Sequence, residues 1–179
     1  MNKIINILLL LLVVHSTVAA KDLLLVDVSG STKSKAQEVR IVVQKYIETG
    51  GKVLAFSDNV FEIKHADDLI FNGNTNLSLA LEKVKSLNID YLTIVSDGLP
   101  MDEDKSIKIA KELKNSAVTI CGIFISDSLV VPTTFKIIAN QTYAFSEYSK
   151  AIAHCADMKF ELMGKQAKQK SVDINKYTF

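Results

Sequence analysis

The stretch Leu23-Leu24-Leu25-Val26-Asp27-Val28-Ser29-Gly30-Ser31 decides the fold of this chain. Its first half is a continuous aliphatic run, which is typical of a strand buried on both faces of a parallel sheet. Its second half places one carboxylate and two hydroxyls, from Asp27, Ser29 and Ser31, in a single turn after that strand. Hard cations such as Mg²⁺ prefer oxygen donors of this kind. The stretch therefore predicts a metal site at the carboxyl end of a buried strand.

The rest of the chain alternates strand-like and helix-like segments. The pattern predicts strands at 23–28, 52–56, 60–64, 90–95, 118–125 and 142–145, and helices at 34–49, 77–87, 105–114, 134–140 and 148–162. The short third strand is expected to form a hairpin with the second. This order predicts an α/β fold: a Rossmann-like, doubly wound and mostly parallel six-stranded sheet, with one short antiparallel edge strand and helices on both faces.

Two later segments carry further oxygen donors. Thr75 lies in Asn72-Gly73-Asn74-Thr75-Asn76-Leu77, and Asp97 lies in Ser96-Asp97-Gly98-Leu99-Pro100. In doubly wound sheets, ligands bind outside the carboxyl ends of the strands, where the strand order reverses. Asp27 and Asp97 each follow a predicted strand, so two neighbouring strands at that point would bring their carboxylates together.

In order, spacing and context, these three segments resemble the metal-ion-dependent adhesion site (MIDAS) of the von Willebrand factor type A (vWA) family. The resemblance covers residues 22–162 and includes the segments 55–58 and 136–140. It implies that the hydroxyls of Ser29 and Ser31 bind the metal directly and that Thr75 binds it directly or through water. Asp27 and Asp97 would act mainly through bridging waters and as the charge of the site. The helix at 148–162 would be the element that shifts with ligation.

The donor set has a charge that suits a binding site. Two carboxylates balance one divalent cation and three hydroxyls add oxygens without charge, which leaves a position for an incoming Asp or Glu carboxylate. Mg²⁺ or Mn²⁺ suits such a set, whereas Ca²⁺ usually takes more oxygens. Gly30 is expected to allow a tight turn between the serines. The predicted rim of the site consists of Gly73, Asn74, Gly98 and Asp102.

Each of these residues also has an ordinary structural interpretation. Ser31 is a suitable helix cap, and Ser29 and Asp97 are common in turns. The joint occurrence of the three segments, each after the expected element, favours the metal site. The predicted function is protein recognition without catalysis: the site would bind an exposed acidic residue of a protein partner, in an accessory component of a cell-envelope or surface assembly.

Two alternatives remain open at the level of sequence. One is a metal-dependent phosphohydrolase with Asp27 as nucleophile; such enzymes usually carry a second Asp two positions later, where this chain has Ser29. Lys33 could neutralise a phosphate there. The other is a scaffold whose metal site is vestigial. The net charge of +1, from 21 Lys+Arg and 20 Asp+Glu, gives no basis for nucleic-acid binding.

The amino-terminal residues predict a secretory signal at 1–20. Lys3 precedes an apolar core at 4–14, and small residues follow at 18–20. The core is shorter than the roughly 20 residues of a membrane-spanning helix, so a periplasmic or secreted protein is expected, with an uncleaved membrane anchor as the alternative. No cysteine follows the cleavage point, which argues against a lipid anchor. A vWA domain is expected at 21–164 and a polar tail at 165–179.

The chain has two cysteines, Cys121 in a predicted strand and Cys155 on the apolar face of the last predicted helix. In an oxidising compartment they could form one disulfide. The alternative is a pair of buried, inert thiols. The sequence leaves both open.

Overall fold

The computed structural model describes residues 21–126 and 129–146. Within them the strands are β1 (Asp22–Asp27), β2 (Lys52–Phe56), β3 (Val60–Ile63), β4 (Tyr91–Ser96), β5 (Thr119–Ile125) and β6 (Gln141–Phe145). The α-helices are α1 (Ala36–Glu48), α2 (Leu77–Lys85), α3 (Glu103–Asn115) and α4 (Thr133–Ile138). Two short 3-10 helices lie at Gly30–Lys35 and Ala66–Asp68.

The strands form one sheet in the order β3-β2-β1-β4-β5-β6. All neighbouring pairs are parallel except β2 and β3, which form the predicted hairpin. The second strand lies on one side of β1 and the fourth on the other, so the order reverses between β1 and β4. The predicted fold class is confirmed, and the reversal point is the place where a doubly wound sheet binds ligands.

Helices cover both faces of the sheet. Leu24 and Val26 of β1 pack with Val39 and Val43 of α1 on one face. Alternate side chains of the same strands pack against α2, α3 and α4 on the other face. All four aliphatic residues of β1 are fully buried, which explains the unbroken apolar run. Burying each such side chain contributes about 1.5–3 kcal/mol to the hydrophobic stabilisation.

The chain departs from the sequence prediction after β1. A helix was expected to begin at residue 34, but residues 30–35 form a 3-10 helix and the α-helix begins at Ala36. The cause is Thr32, whose backbone N–H and hydroxyl both bond to the carbonyl oxygen of Ser29. These bonds close a tight turn directly behind the predicted metal loop. The 3-10 helix at Ala66–Asp68 was not predicted either.

Several predictions concern residues outside the described part of the chain. They are the signal at 1–20, the helix at 148–162, the tail at 165–179, and Cys155. Cys121 is fully buried in β5 and is not a free thiol, but its pairing with Cys155 stays a prediction. Across the described residues, no helix has the length and apolar character needed to cross a membrane.

Candidate metal centre

The five predicted ligands come together at the carboxyl edge of the sheet. Asp27 ends β1, and Ser29 and Ser31 follow it into the first 3-10 helix. Thr75 lies two residues before α2, and Asp97 directly follows β4. Because β1 and β4 are adjacent and parallel, their carboxyl ends meet, and the loop before α2 closes the group from a third side.

The hydroxyls form a continuous chain of hydrogen bonds. The hydroxyl of Thr75 donates to Oγ of Ser29 at 3.2 Å, and Ser29 lies 3.1 Å from Oγ of Ser31. Ser31 donates to Oδ1 of Asp97 at 2.7 Å. Each hydroxyl has one proton, so the proton of Ser29 points to Ser31, and the whole chain is directed towards the Asp97 carboxylate.

These distances fit the coordination shell of a small divalent cation. Adjacent ligands of an octahedral ion held at 2.0–2.1 Å lie about 2.9 Å apart. The oxygen pairs in the hydroxyl chain are 2.7–3.2 Å apart. No group of three or more His, Cys, Asp or Glu side chains that could hold a metal occurs among the described residues. The five predicted ligands are two carboxylates and three hydroxyls, a set that suits Mg²⁺ or Mn²⁺ better than metals that prefer nitrogen or sulfur ligands.

Asp27 is fully buried. Its Oδ1 accepts the backbone N–H of Ser29 at 2.8 Å, and its Oδ2 accepts the hydroxyl of Ser96. Burial raises the pKa of the Asp27 carboxyl, and the nearby charge of Asp97 adds to this, while the bonds from Ser96 and Ser29 lower it in part. A buried carboxylate with a raised pKa is a group that a cation would stabilise in its charged form.

The centre has a buried half and an open half. Asp27, Ser29 and Thr75 are buried, whereas Ser31 is exposed and Asp97 is partly exposed. Among the described residues, the side of Ser31 and Asp97 is therefore the one open to a ligand from outside.

Backbone hydrogen bonds hold the three loops together. The N–H of Gly30 donates to the carbonyl oxygen of Gly73 at 3.0 Å, and Met101 donates to the carbonyl oxygen of Thr75 at 3.1 Å. Oδ1 of Asp58 accepts both the backbone and the side-chain N–H groups of Asn74, at 3.1 and 2.9 Å. The Thr75 loop is thus attached to the β2–β3 hairpin on one side and to the Asp97 loop on the other.

A side chain would be crowded at two of the three loop glycines, severely at Gly73 and mildly at Gly98. Gly73 has a positive φ of 77°, and a Cβ there would lie 2.3 Å from Oδ2 of Asp58. A Cβ on Gly98 would lie 3.2 Å from Oγ1 of Thr75. A Cβ on Gly30 would meet only the Gly73 carbonyl oxygen, at an ordinary 3.5 Å. The turn between the serines does not need glycine, contrary to the expectation from sequence.

The predicted rim residues have different surroundings. Asn74 is exposed and attached to Asp58. Asp102 is partly exposed, and its two oxygens accept the hydroxyls of Ser78 in α2 and Ser106 in α3. Asp102 therefore joins two helices next to the centre, and a contribution of these residues to binding stays a prediction.

Sequence reasoning missed two residues that support the ligands, Ser96 and Asp58. Ser96 ends β4 beside Asp27, and Asp58 holds the loop of Thr75. The sequence could have pointed to Ser96, because it lies between a predicted buried strand and Asp97. That position places its hydroxyl at the sheet edge where Asp27 and Asp97 lie. Asp58 lies in the hairpin turn, where an aspartate is also common for local reasons.

No protein-family model matches the chain, and no curated protein matches it either. Solved structures do match it. Proximal thread matrix protein 1 from the mussel byssus gives a TM-score of 0.58 at 19% identity, over 74% of this chain and 44% of that one. The same mussel protein with a zinc-occupied MIDAS motif gives 0.56 at 18%, over 74% and 45%. The manganese-loaded TRAP protein of Plasmodium vivax gives 0.58 at 17%, over 75% and 71%.

These structural neighbours contain vWA domains, and the vWA fold predicted from the sequence is confirmed. The chain spans less than half the length of the mussel protein that it matches. At identities of 17–19% the likeness extends to the fold, while the chemistry of the centre depends on the residues of this chain.

Proposed function

We propose that this protein is a metal-dependent protein-binding module that uses Mg²⁺ or Mn²⁺ to bind an acidic residue of a protein partner. The observation that carries the proposal is the cluster of five side chains at the reversal point of the sheet. Four of them, Thr75, Ser29, Ser31 and Asp97, have oxygens spaced 2.7–3.2 Å apart along one chain of hydrogen bonds, and Oδ1 of Asp27 accepts the backbone N–H of Ser29 beside it. That spacing is about the edge length of an octahedral Mg²⁺ shell.

The five side chains would have two roles, as neutral oxygen ligands and as the source of negative charge. Ser29, Ser31 and Thr75 would hold the ion through neutral hydroxyls, and Asp27 and Asp97 would supply the balancing charge. When bound, the metal would offer a coordination position to an external carboxylate. The exposed position of Ser31 and the partly exposed position of Asp97 leave that side open to a partner.

The surface next to Asp97 supports a protein as the partner. Leu99 and Met101 lie two and four residues after Asp97 and are 48% and 71% exposed. Large apolar side chains exposed beside a polar site are typical of surfaces that other proteins cover. A zinc-occupied MIDAS in the mussel neighbour and a manganese-loaded neighbour from Plasmodium vivax support a divalent metal on this fold.

The geometry does not favour a phosphohydrolase. A nucleophilic aspartate must reach the phosphorus atom of its substrate. Asp27 is 0% exposed and both its oxygens accept hydrogen bonds from Ser29 and Ser96. The position two residues later, where such enzymes usually have an acid/base aspartate, holds the Ser29 hydroxyl.

Calorimetric titration of the full chain with Mn²⁺ tests the proposal. Saturable binding is expected in the wild type and should be lost in Ser31→Ala and Asp97→Asn. Ser34→Ala and Asp104→Asn are matched controls, because they remove an exposed hydroxyl and an exposed carboxylate outside the centre, and both should bind like wild type. Equal binding in all five proteins would place the metal elsewhere and refute the proposed site.

A second titration tests the external carboxylate. Acetate, added to the Mn²⁺-loaded protein, should bind only when the metal is present and not to Asp97→Asn. If Mn²⁺ binds but acetate does not, the metal has a structural role and the recognition proposal is wrong.

Export is part of the same proposal. A protein that meets partners on an envelope or surface assembly needs a route out of the cytoplasm, and the segment at 1–20 has the composition of a secretory signal. The amino-terminal sequence of the protein recovered from its producing cells should begin at Lys21. If the recovered protein still begins with Met1, the segment is not cleaved. The protein would then be held by an uncleaved membrane anchor or would stay inside the cell.

A further inference from the structure

A groove of about 640 Å³ lies beside the candidate metal centre, between the β2–β3 hairpin and the segment that follows the second 3-10 helix. Its lining includes Val28, Asp58, Phe61, Glu62, Asp68 and Ile70. Gly73 belongs to both sites, because its carbonyl oxygen accepts the N–H of Gly30 in the metal loop. The groove is therefore continuous with the surface that the proposed partner would cover.

The groove has an apolar interior. Val28, Ala55 and Ile63 are buried lining residues of the core that packs on α1. Phe61 and Ile70 are 52% and 71% exposed. Two large apolar side chains left this open beside a concave surface are suited to cover the aliphatic part of a ligand.

The charge of the groove has one sign. Its lining includes the carboxylates of Asp58, Glu62 and Asp68 and no Lys or Arg among the described residues. Glu62 has a counterion, since Lys52 lies 3.3 Å away. Asp58 and Asp68 each use one oxygen for N–H groups of the chain, and neither has a salt bridge within the described residues. A chain with a net charge of +1 thus has a locally acidic, apolar groove.

We propose that this groove binds a basic side chain, an arginine in preference to a lysine, of the same protein partner that places an acidic residue at the metal centre. The aliphatic stem would lie along Ile70, with the guanidinium against the ring of Phe61 and the carboxylate of Asp58 or Asp68. Guanidinium groups stack on aromatic rings and pair with carboxylates, and a long basic side chain can bury its stem while its charged end stays at the rim. The pairing of the two sites on one partner rests on the proposed function, whereas arginine binding in the groove does not require the metal.

The test is an NMR titration of the full chain with N-acetyl-arginine amide in the presence of EDTA. Saturable amide shifts are expected in the hairpin and around Ile70. N-acetyl-citrulline amide has the same shape without the charge and should produce shifts several-fold smaller at equal concentration. Equal shifts from citrulline or from N-acetyl-leucine amide would show a groove for neutral side chains, and the absence of shifts would show no site; either result overturns the proposal.

Matched variants separate the groove from general effects on folding or charge. Asp68→Asn keeps an oxygen for the N–H of His65 but removes the charge, and should weaken arginine binding about three- to tenfold. Asp67→Asn removes a neighbouring exposed charge that does not line the groove and should have little effect. Ile70→Ser should weaken binding, and Ile41→Ser, at an exposed site on α1, should not. If each variant matches its control, the groove is not the binding site.

The metal titrations distinguish the groove proposal from the proposed function at the metal centre. If arginine binds the groove while Mn²⁺ fails to bind, the proposed function is wrong and the proposal of an arginine site in the groove is kept. If Mn²⁺ and acetate bind but arginine does not, only the groove proposal fails. If both hold, a peptide with one Asp and one Arg should bind the Mn²⁺ form more tightly than peptides in which Asn or citrulline replaces either residue.

Discussion

The hydroxyl of Ser96 donates a hydrogen bond to Oδ2 of Asp27, across the junction between β4 and β1. Both residues are fully buried. The register of the two strands explains the contact: Val26 is paired with Val95, so the next residue of each strand reaches the sheet edge at the same level. A serine that never faces the solvent thus orients the buried carboxylate of the proposed metal centre.

Replacing Ser96 by Ala is expected to weaken Mn²⁺ binding about tenfold, because residues that orient metal ligands typically contribute that much to affinity. The variant leaves all five proposed ligands in place. Calorimetric titration of the wild type and the variant measures the effect directly.

Ser106→Ala is the control for this loss of a buried hydroxyl. Ser106 is also fully buried and also donates to a carboxylate, Oδ1 of Asp102 at 3.1 Å. Its removal should lower thermal stability without changing the affinity for Mn²⁺. If both variants bind Mn²⁺ like wild type, Ser96 has no role in orienting Asp27.

The second prediction concerns the stability of the protein without metal. Asp27→Asn is expected to raise the melting temperature in EDTA near neutral pH by roughly 2–4 °C, the shift that about 1 kcal/mol produces in a protein of this size. The amide oxygen can accept the N–H of Ser29, and the amide group can donate to Ser96, whose hydroxyl can turn to the carbonyl oxygen of Gly98 3.1 Å away. The substitution therefore removes a buried charge and keeps a hydrogen bond at both the oxygen and the nitrogen of the side chain.

The pH dependence of this difference has a defined sign. Burial, and then the charge of Asp97, raises the pKa of Asp27 above the unfolded value of 3.8. The folded protein therefore holds this proton more tightly, and the resulting stability is present below pH 3.8 and lost as pH rises through the folded pKa. The melting temperatures of the two proteins should converge in acid and separate towards neutral pH. A variant that is less stable than wild type in EDTA at neutral pH would contradict the prediction.

Metal affinity should fall in acid for the same reason. Protons compete with the cation for Asp27, and because burial raises the pKa of Asp27, that competition begins at a higher pH than it would for an exposed aspartate. The hydrogen bond from Ser96 lowers the pKa of Asp27, so Ser96→Ala should lose Mn²⁺ at a higher pH than wild type. Titrations over a series of pH values measure both midpoints, and coincident midpoints would show that Ser96 does not affect the proton affinity of Asp27.

The sheet could be predicted from the sequence because its strands are buried on both sides. The run Leu23–Val26 has no polar position, which favours a strand buried on both faces of a parallel sheet. The candidate ligands could be proposed from the sequence because their residue types and spacing are local properties of three short segments. Their common location then followed from the rule for the carboxyl ends of parallel strands.

The parts that could not be predicted depend on contacts between distant segments. Asp102 follows Pro100 and resembles a residue of an exposed loop, but its partners Ser78 and Ser106 come from two different helices. The role of Ser96 required the register of β1 against β4. The groove depends on Phe61 and Ile70, two exposed apolar residues with no spacing pattern, which face it only because the hairpin lies beside the loop to Gly73.

The last prediction separates two glycines that look alike in the sequence. Gly98→Ala would place a Cβ 3.2 Å from Oγ1 of Thr75 and 3.9 Å from Oγ of Ser31. Thr75 is buried and bonded to Ser29, so it cannot move away without lengthening the chain of hydroxyls. Gly98→Ala is therefore expected to weaken Mn²⁺ binding by about tenfold, a loss of about 1.4 kcal/mol, with little loss of thermal stability.

Gly30→Ala is the control from inside the metal loop itself. Its Cβ would contact only the carbonyl oxygen of Gly73, at 3.5 Å, and should be tolerated with unchanged Mn²⁺ affinity. Both variants replace a loop glycine by the same residue, but only the Cβ at position 98 meets a proposed ligand. A difference in Mn²⁺ affinity between them therefore measures the crowding of Thr75 rather than the loss of a flexible residue. Equal losses of affinity would mean that the loops need glycine for their mobility, and equal tolerance would mean that the ligand oxygens can shift by a few tenths of an ångström without cost to binding.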